Sequence, residues 1–166
     1  MHLVNEPRDA HRVPLALELA TAIGLALMTG FLFNMSVVTA PALNALSPEQ
    51  ALAAWKGINA TVHNPLFSGT AFEPQCWLSC AQPLPGIRGF ENWCLGFALL
   101  YVVGVICTTF AVETGIDRAI VPATQPPPKL PGMLSTWLLG NHVRTLSALA
   151  AFIVAWLGFR RSPSDR

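Results

Sequence analysis

Long uncharged runs dominate the pattern of hydrophobic and polar positions along the chain. Thirty residues without Asp, Glu, Lys or Arg precede Glu49, and twenty-one precede Glu113. At about 1.5 Å rise per residue, twenty-one helical residues reach about 31 Å, the thickness of a hydrocarbon core. A third apolar run, TLSALAAFIVAWLGF, follows Arg144. The pattern predicts membrane-spanning helices over residues 14–38, 92–113 and 137–159, and the last of these places Arg144 near its entrance.

A fourth segment, residues 62–84, is mostly uncharged but has little Leu or Ile and several prolines. Proline removes a backbone donor and breaks regular helix, and the carbonyls it frees in lipid must find partners inside the protein. This segment is interpreted as a short or broken second helix, or as a re-entrant segment packed against the others. The prolines in and next to it are Pro65, Pro74, Pro83 and Pro85.

The predicted fold class is therefore all-α, an integral membrane four-helix bundle whose second helix is short, broken or degenerate. Residues 1–166 form one membrane domain. With four spans, six of the ten basic residues lie on the side of the two termini, which favours cytoplasmic termini. A cleaved signal peptide is the rival interpretation of the first run, but that run is about twice the length of a signal-peptide core.

Composition agrees with this assignment. Hydrophobic residues make up 52% of the chain and charged residues only 11%, against about 25% charged residues in an average soluble domain. Ten basic and nine acidic residues leave a net charge of +1, which removes the electrostatic case for nucleic-acid binding. High hydrophobicity with low net charge also excludes disorder.

One connecting segment has the signature of a short amphipathic helix. Ser47 followed by Pro48 is typical of an N-cap and a first helical position. Apolar residues then recur at helical spacing to Thr61. Trp55 beside Lys56 suits an anchor at the membrane interface.

The strongest polar constellation is Asn141, His142, Arg144 and Thr145. One interpretation is a basic cluster whose side chains extend to lipid headgroups. The other is an anion-stabilising site, in which Arg144 and Asn141 bind a developing oxyanion and His142 transfers a proton. Ionisable groups within a bilayer are expensive, so each is a functional candidate.

A second polar group precedes the doubtful segment. Asn59 and His63 are four residues apart and share a helix face, and Asn64 follows them. A polar helix end that satisfies its own backbone is the simple interpretation. The functional alternative is a histidine base, because an unperturbed imidazole has a pKa near 6.5.

No motif indicates a metal or a cofactor. Cys76 and Cys80 form one C-x3-C pair, whereas a zinc site needs close ligand pairs on both sides of a loop. Core cysteines or a Cys76–Cys80 disulfide are the alternatives. Phosphate-loop, dinucleotide-binding and hydrolase motifs are also absent from the sequence.

Three segments together carry a family resemblance: FLFNMSVVTAPALNAL, AAWKGINATVHNPLF and GNHVRTLSALAA. The first segment contains Pro-Ala-Leu, the second has Trp and Asn before Asn-Pro-Leu-Phe, and the third contains Asn-His-Val-Arg-Thr. With these motifs in this order, the chain resembles the DUF1772, or anthrone oxygenase-like, membrane family. The chain departs from that family after Phe67, where SGTAFEPQCWLSCAQPLPG replaces a hydrophobic helix.

The resemblance implies a four-helix membrane bundle and a cofactor-independent monooxygenase that oxidises an anthrone-like aromatic polyketide to a quinone with O₂. In that function His142 or His63 is the base and Arg144 and Asn141 are oxyanion donors. Trp55, Asn59 and Asn64 bind the substrate, an apolar aromatic molecule taken from membrane lipid. The alternative is a non-catalytic membrane protein that binds a partner helix or lipid through small residues: Gly96, Ala98, Gly104 and Ala148.

Overall fold

A computed structural model describes residues 15–62, 64, 65, 67 and 90–160. Every element in that part of the chain is helical, so the all-α prediction is confirmed there. The α-helices are α1 Leu15–Asn34, α2 Ala40–Asn44, α3 Pro48–Val62, α4 Phe90–Tyr101, α5 Thr114–Ile120 and α6 Leu130–Arg160. Wider π-helical turns span Met35–Thr39, Val102–Cys107 and Thr109–Glu113.

Three continuous helical stretches are long and apolar enough to cross a membrane. We call them the first span, Leu19–Asn44, the second span, Leu95–Ile120, and the third span, Leu130–Gly158. Each corresponds to a predicted span, but the first two extend six or seven residues further and the third begins seven residues earlier. The first two spans are longer than predicted because their helices continue through Pro41 and Glu113, where the sequence pattern had predicted an end.

Pro41 accounts for the irregular turn in the first span. Without an N–H group, Pro41 cannot donate to a carbonyl in the preceding turn. Just before it, the backbone N–H of Ala40 donates to the carbonyl of Met35, five residues back, and Met35–Thr39 widens into a π-helical turn. Single π turns of this kind occur mostly inside α-helices and often at functional sites.

The short amphipathic helix predicted after the first span is confirmed as α3. Ser47 Oγ accepts a hydrogen bond from the backbone N–H of Gln50 at 3.3 Å, and Gln50 Oε1 accepts one from the backbone N–H of Ser47 at 3.2 Å. This reciprocal pair is a capping box, which satisfies two N–H groups at the helix start. Its buried side chains, Ala51, Leu52 and Trp55, pack onto the spans.

Two apolar clusters hold the spans together. The tyrosine cluster joins the beginnings of the first and second spans to the end of the third; it comprises Leu25, Met28, Leu32, Phe97, Tyr101, Val105, Ala148, Ala151 and Ala155. The tryptophan cluster joins the opposite ends to α3 and comprises Ala40, Leu43, Ala51, Leu52, Trp55, Ile116, Ile120, Leu130, Leu134 and Trp137.

The outer faces of the spans are also apolar. Leu27, Leu99, Phe110 and Leu146 are each about 60% exposed, and many other large hydrophobic residues of the spans are similarly uncovered. Contiguous apolar surface on this scale marks contact with a membrane or a partner in place of water. The outer faces therefore agree with the lengths of the spans in indicating a membrane environment.

Several sequence-based predictions fall outside the described residues. Of the predicted segment 62–84, only residues 62, 64, 65 and 67 are described. His63 and the pair Cys76 and Cys80 lie outside that part of the chain.

Candidate functional site

Arg144 lies near the middle of the third span. Because α6 begins at Leu130 and not at Trp137, Arg144 is fourteen residues into the helix, about 21 Å from its start. The residue is only 5% exposed. The predicted position of Arg144 at the helix entrance is therefore wrong, and of the two interpretations of its cluster, the one in which the side chain extends to headgroups disagrees with this burial.

The guanidinium of Arg144 is held by three side chains. It forms an ion pair with the carboxylate of Glu113 and donates to Oδ1 of Asn141. It also donates to Oγ1 of Thr109 at 3.2 Å. Thr109 and Glu113 are the two ends of one π-helical turn, so this turn presents both groups to the same arginine.

Two tryptophans bind two carboxylates on the second span. The indole N–H of Trp137 donates to Oε1 of Glu113 at 3.1 Å, and that of Trp55 donates to Oδ1 of Asp117 at 3.1 Å. The two indole rings meet edge to face, with centroids 4.6 Å apart and planes at 65°. Trp55 is thus a buried partner of Asp117 and not the interfacial anchor that its position beside Lys56 predicted.

Asn141 is fully buried and connects the site to the first span. Thr145 Oγ1 donates to the backbone carbonyl of Asn141 at 2.7 Å, and its oxygen lies 3.0 Å from Oγ of Ser36. Ser36 belongs to the π-helical turn before Pro41. The irregular turn therefore places a hydroxyl beside the polar face of the third span.

Two buried nitrogens at this site lack a hydrogen-bond acceptor among the described residues. They are Nδ2 of Asn141 and Nε of Arg144. Leaving a buried donor unpaired costs about 1–3 kcal/mol, so such groups are rare in the absence of a role. Both residues line a cavity between the helices.

The cavity has a volume of roughly 340 Å³, within the range of small-molecule sites. Its walls come from all three spans and from α3. Of the predicted site residues, Trp55, Asn59, Asn141 and Arg144 line it. The structure thus brings together side chains that are up to 89 positions apart in the sequence.

Three other predicted residues are placed differently or not described. His142 is exposed and does not line the cavity, because it lies one position from Asn141 and its side chain leaves the helix in another direction. Asn64 is exposed and closes a local turn, donating to the carbonyl of Thr61 and accepting from the backbone N–H of Phe67. His63 lies outside the described residues.

The sequence reasoning missed four cavity residues that contact Arg144 or the two tryptophans. Glu113 had been interpreted as the end of a span and Trp137 as the start of one, while Thr109 and Asp117 had no assigned role. One signal was available: Thr109, Glu113 and Asp117 recur at four-residue intervals, which places them on one helix face. All four line the cavity.

This arrangement combines a proton acceptor with hydrogen-bond donors beside apolar walls. Oε1 of Glu113 accepts from the indole of Trp137 and pairs with the guanidinium of Arg144, so the carboxylate is held in place at the cavity wall. Nδ2 of Asn141 and Nε of Arg144 are donors without acceptors. No group of three His, Cys, Asp or Glu side chains suited to a metal ion occurs among the described residues.

The fold and the site together define a helical protein with three helices able to cross a membrane and, between them, a cavity whose mostly apolar walls carry an ion pair. No protein-family model, no curated protein and no solved structure matches this chain. The resemblance to the anthrone oxygenase-like family therefore rests on the sequence motifs alone.

Proposed function

We propose that the chain is a cofactor-independent membrane monooxygenase that oxidises an anthrone-like aromatic molecule to a quinone with O₂. The observation that supports this most is the convergence of Trp55, Asn59, Asn141 and Arg144 on one apolar cavity that also contains Glu113. A protein that only tied its polar helix ends to headgroups would direct these side chains outward. The sequence motifs of the anthrone oxygenase-like family point to the same reaction.

Glu113 is the base of this proposal, in place of the histidines suggested by sequence. His142 is exposed to the outside of the helix bundle, whereas Glu113 lines the cavity. The indole of Trp137 and the guanidinium of Arg144 both bind Oε1 and fix the carboxylate. The carboxylate at the cavity wall then accepts a proton from a bound CH₂ group, and a general base positioned in this way contributes about 10²–10⁴-fold to a rate.

The two unpaired nitrogens serve the charge that proton removal creates. When an anthrone loses a ring CH₂ proton, the negative charge moves largely to its carbonyl oxygen. We assign that oxygen to Asn141 and Arg144, since both residues line the cavity and each carries a donor without an acceptor among the described residues. Preorganised donors of this kind stabilise a developing oxyanion because they need not reorient during the reaction.

The remaining chemistry needs only O₂. The carbanion gives one electron to O₂, and the two radicals combine to form a C–O bond, which yields a hydroperoxide after protonation. Loss of water from the hydroperoxide removes the second proton of the original CH₂ group and leaves a carbonyl. One oxygen atom enters the quinone and the other leaves as water, so the four electrons lost by carbon reduce O₂ completely.

We further propose a fourth membrane crossing between the first and second spans. The first span ends in the tryptophan cluster, through Ala40 and Leu43, and the second begins in the tyrosine cluster, through Phe97. The intervening chain must therefore travel from one end of the bundle to the other. α3 supports this path, because it begins in the tryptophan cluster and the chain reaches the tyrosine cluster at Phe67.

An even number of crossings places both termini on one membrane face. The distribution of basic residues favours the cytoplasm for that face, with six of ten on it. The multi-pass arrangement and the cytoplasmic termini are thus parts of the same proposal.

The non-catalytic alternative, a protein that binds a helix or lipid, has less support. It assigned Asn141 and Arg144 to headgroup contacts, but both are buried. All four small residues meant for a partner helix instead face neighbours within the chain. Ala148 and Ala98 pack in or against the tyrosine cluster, Gly104 lies against Ser147, and Gly96 lies near Val154.

The experiment measures the rate at which membranes that contain the protein form a quinone, with anthrone as the probe and O₂ present. Wild-type membranes are expected to form anthraquinone faster than membranes without the protein. Glu113→Gln keeps the size of the side chain but removes the base, and it is expected to lower kcat by about 100-fold or more.

Glu49→Gln is the matched control, because Glu49 is exposed at the start of α3. The control is expected to oxidise anthrone at the wild-type rate. Equal rates for wild-type membranes and membranes lacking the protein would contradict the oxygenase proposal for this substrate. Equal rates for wild type and Glu113→Gln would remove Glu113 from it.

A further inference from the structure

The cavity has two chemically different ends. At one end Trp55 and Trp137, members of the tryptophan cluster, adjoin the carboxylates and the arginine. The other end reaches into the tyrosine cluster and is lined by hydrocarbon and aromatic groups alone among the described residues. We call this second end the apolar arm, and its lining residues are Met28, Phe31, Leu32, Phe67, Val105 and Ile106.

The length of the apolar arm follows from one cross-helix contact. Ser36 meets Thr145, the neighbour of Arg144, so Ser36 marks the height of the polar site on the first span. Met28 precedes Ser36 by eight residues, which corresponds to about 12 Å along a helix. An arm of this length extends well beyond a head group held at Arg144.

The far part of the arm is bordered by aromatic rings. Phe31 and Phe67 pack edge to face with ring centroids 4.8 Å apart. Ile106 and Val105 face them from the second span. No charged side chain lines this part among the described residues, so the arm offers no partner to a polar ligand atom.

We propose that the cavity binds an amphipathic molecule with an oxygen-bearing head at Asn141 and Arg144 and a flexible hydrocarbon chain in the apolar arm. The aromatic nature of the head rests on the proposed function. The presence of a hydrocarbon chain in the ligand follows from the shape of the cavity. A substituted ring, and not a bare one, then fills both ends of the site.

The hydrocarbon chain of the ligand contributes to binding mainly through its steric fit in the apolar arm. A hydrocarbon chain that leaves lipid for an apolar arm gains little from the hydrophobic effect, because both environments exclude water. Its contacts with the arm nevertheless keep the head aligned with the unpaired nitrogens. The site therefore distinguishes ligands with a hydrocarbon chain from ligands without one by steric fit. A substitution that fills the apolar arm tests this directly.

The test measures Kd for two probes, anthrone and an anthrone with a hexyl chain on an outer ring, in lipid nanodiscs without O₂. Leu32→Trp and Ile106→Trp each fill the arm, from the first and the second span respectively. The matched control is Leu27→Trp, since Leu27 lies on the same helix as Leu32 but is 59% exposed on the outer face.

Both arm variants are expected to raise the ratio of the hexylanthrone Kd to the anthrone Kd by about tenfold or more, the scale on which pockets discriminate by size. Leu27→Trp is expected to leave the ratio at its wild-type value. An unchanged ratio in both arm variants, or a wild-type protein that does not bind hexylanthrone, would overturn the proposal.

Adding O₂ to the same nanodiscs separates this inference from the proposed function. If the expected Kd pattern occurs but neither probe forms a quinone, the amphipathic site stands and the oxygenase proposal fails. If anthrone is oxidised but the arm variants leave the ratio unchanged, the oxygenase proposal stands and the amphipathic site fails.

Discussion

At the scale of single residues, the ion pair between Arg144 and Glu113 dominates the energetics of the site. A single charged group near the centre of a membrane helix costs about 2.5–3.5 kcal/mol on insertion scales. Pairing two opposite charges and adding the hydrogen bond from Trp137 reduces that cost without removing it. Replacing a buried ion pair with a hydrophobic pair is often neutral or stabilising, so stability alone does not account for these charges.

Arg144→Met is expected to destabilise the protein by up to about 3 kcal/mol, because the partly buried Glu113 carboxylate, 25% exposed, loses its charged partner. The double variant Glu113→Gln/Arg144→Met leaves no charge and is expected to be more stable than Arg144→Met alone. Thermal unfolding in detergent, followed by the loss of helical circular dichroism, measures both effects.

Arg118→Met serves as the control for the loss of one arginine, since Arg118 is exposed at the end of the second span. It is expected to unfold close to the wild-type temperature. Identical unfolding temperatures for Arg144→Met and Arg118→Met would show that the buried ion pair contributes nothing to the fold.

At the scale of the helices, π-helical turns and one glycine determine how the spans meet. The π turn Thr109–Glu113 aligns two side chains with Arg144, and Met35–Thr39 brings Ser36 to Thr145. On the second span, a Cβ added to Gly104 would overlap the side chain of Ser147 on the third. These two helices are therefore close because Gly104 has no side chain.

Gly104→Ala is expected to destabilise the protein by about 1–3 kcal/mol, the usual cost of overpacking, because the second and third spans must separate. Gly30→Ala is the matched control, since a Cβ at Gly30 meets nothing within 4 Å. The control is expected to be neutral or to stabilise the helix by up to about 1 kcal/mol.

A second substitution, at Ser147, distinguishes the effect of the close contact on stability from a general effect of the extra methyl group. Ser147→Gly removes the atoms that a Cβ on Gly104 would overlap, so Gly104→Ala/Ser147→Gly is expected to recover stability relative to Gly104→Ala. The measurement is again the unfolding temperature in detergent. An equal loss for Gly104→Ala and Gly30→Ala would contradict the predicted contact.

At the scale of the whole molecule, the two apolar clusters define the path of the chain. The end of the first span, the start of α3 and the end of the second span share the tryptophan cluster. Lys56 of α3 also donates to the carbonyl of Ala123, in the connection between the second and third spans. Residues near Ser47 and near Thr124 therefore lie at the same end of the bundle.

Single cysteines at these two positions test the fourth crossing. In a cysteine-free background, Ser47→Cys and Thr124→Cys are both expected to react with a membrane-impermeant maleimide added to the same side. A bundle with only three crossings places them on opposite sides. Labelling from opposite sides would therefore contradict the four-crossing proposal.

The origin of the correct and incorrect predictions is clearest in the third span and at Ser47. Ser47 and Pro48 signal a helix start through local hydrogen bonding and a restricted φ, and α3 begins there. The beginning of the third span was misplaced because Pro131 and Gly132 are typical of a connection. Pro131 is nevertheless compatible with α6, because it lies in the first turn, where a proline lacks only an N–H group that has no partner within the helix.

By itself, the sequence determined the helical class, the three apolar spans, the capped helix α3 and four of the cavity-lining residues. These properties depend on hydropathy, chain length and local hydrogen bonding, which are written in neighbouring positions. Only the tertiary structure decided that Arg144 is buried against Glu113 and that His142 is directed away from the cavity. Which charges meet depends on helix rotation and on contacts between distant segments, and no short stretch of sequence contains that information.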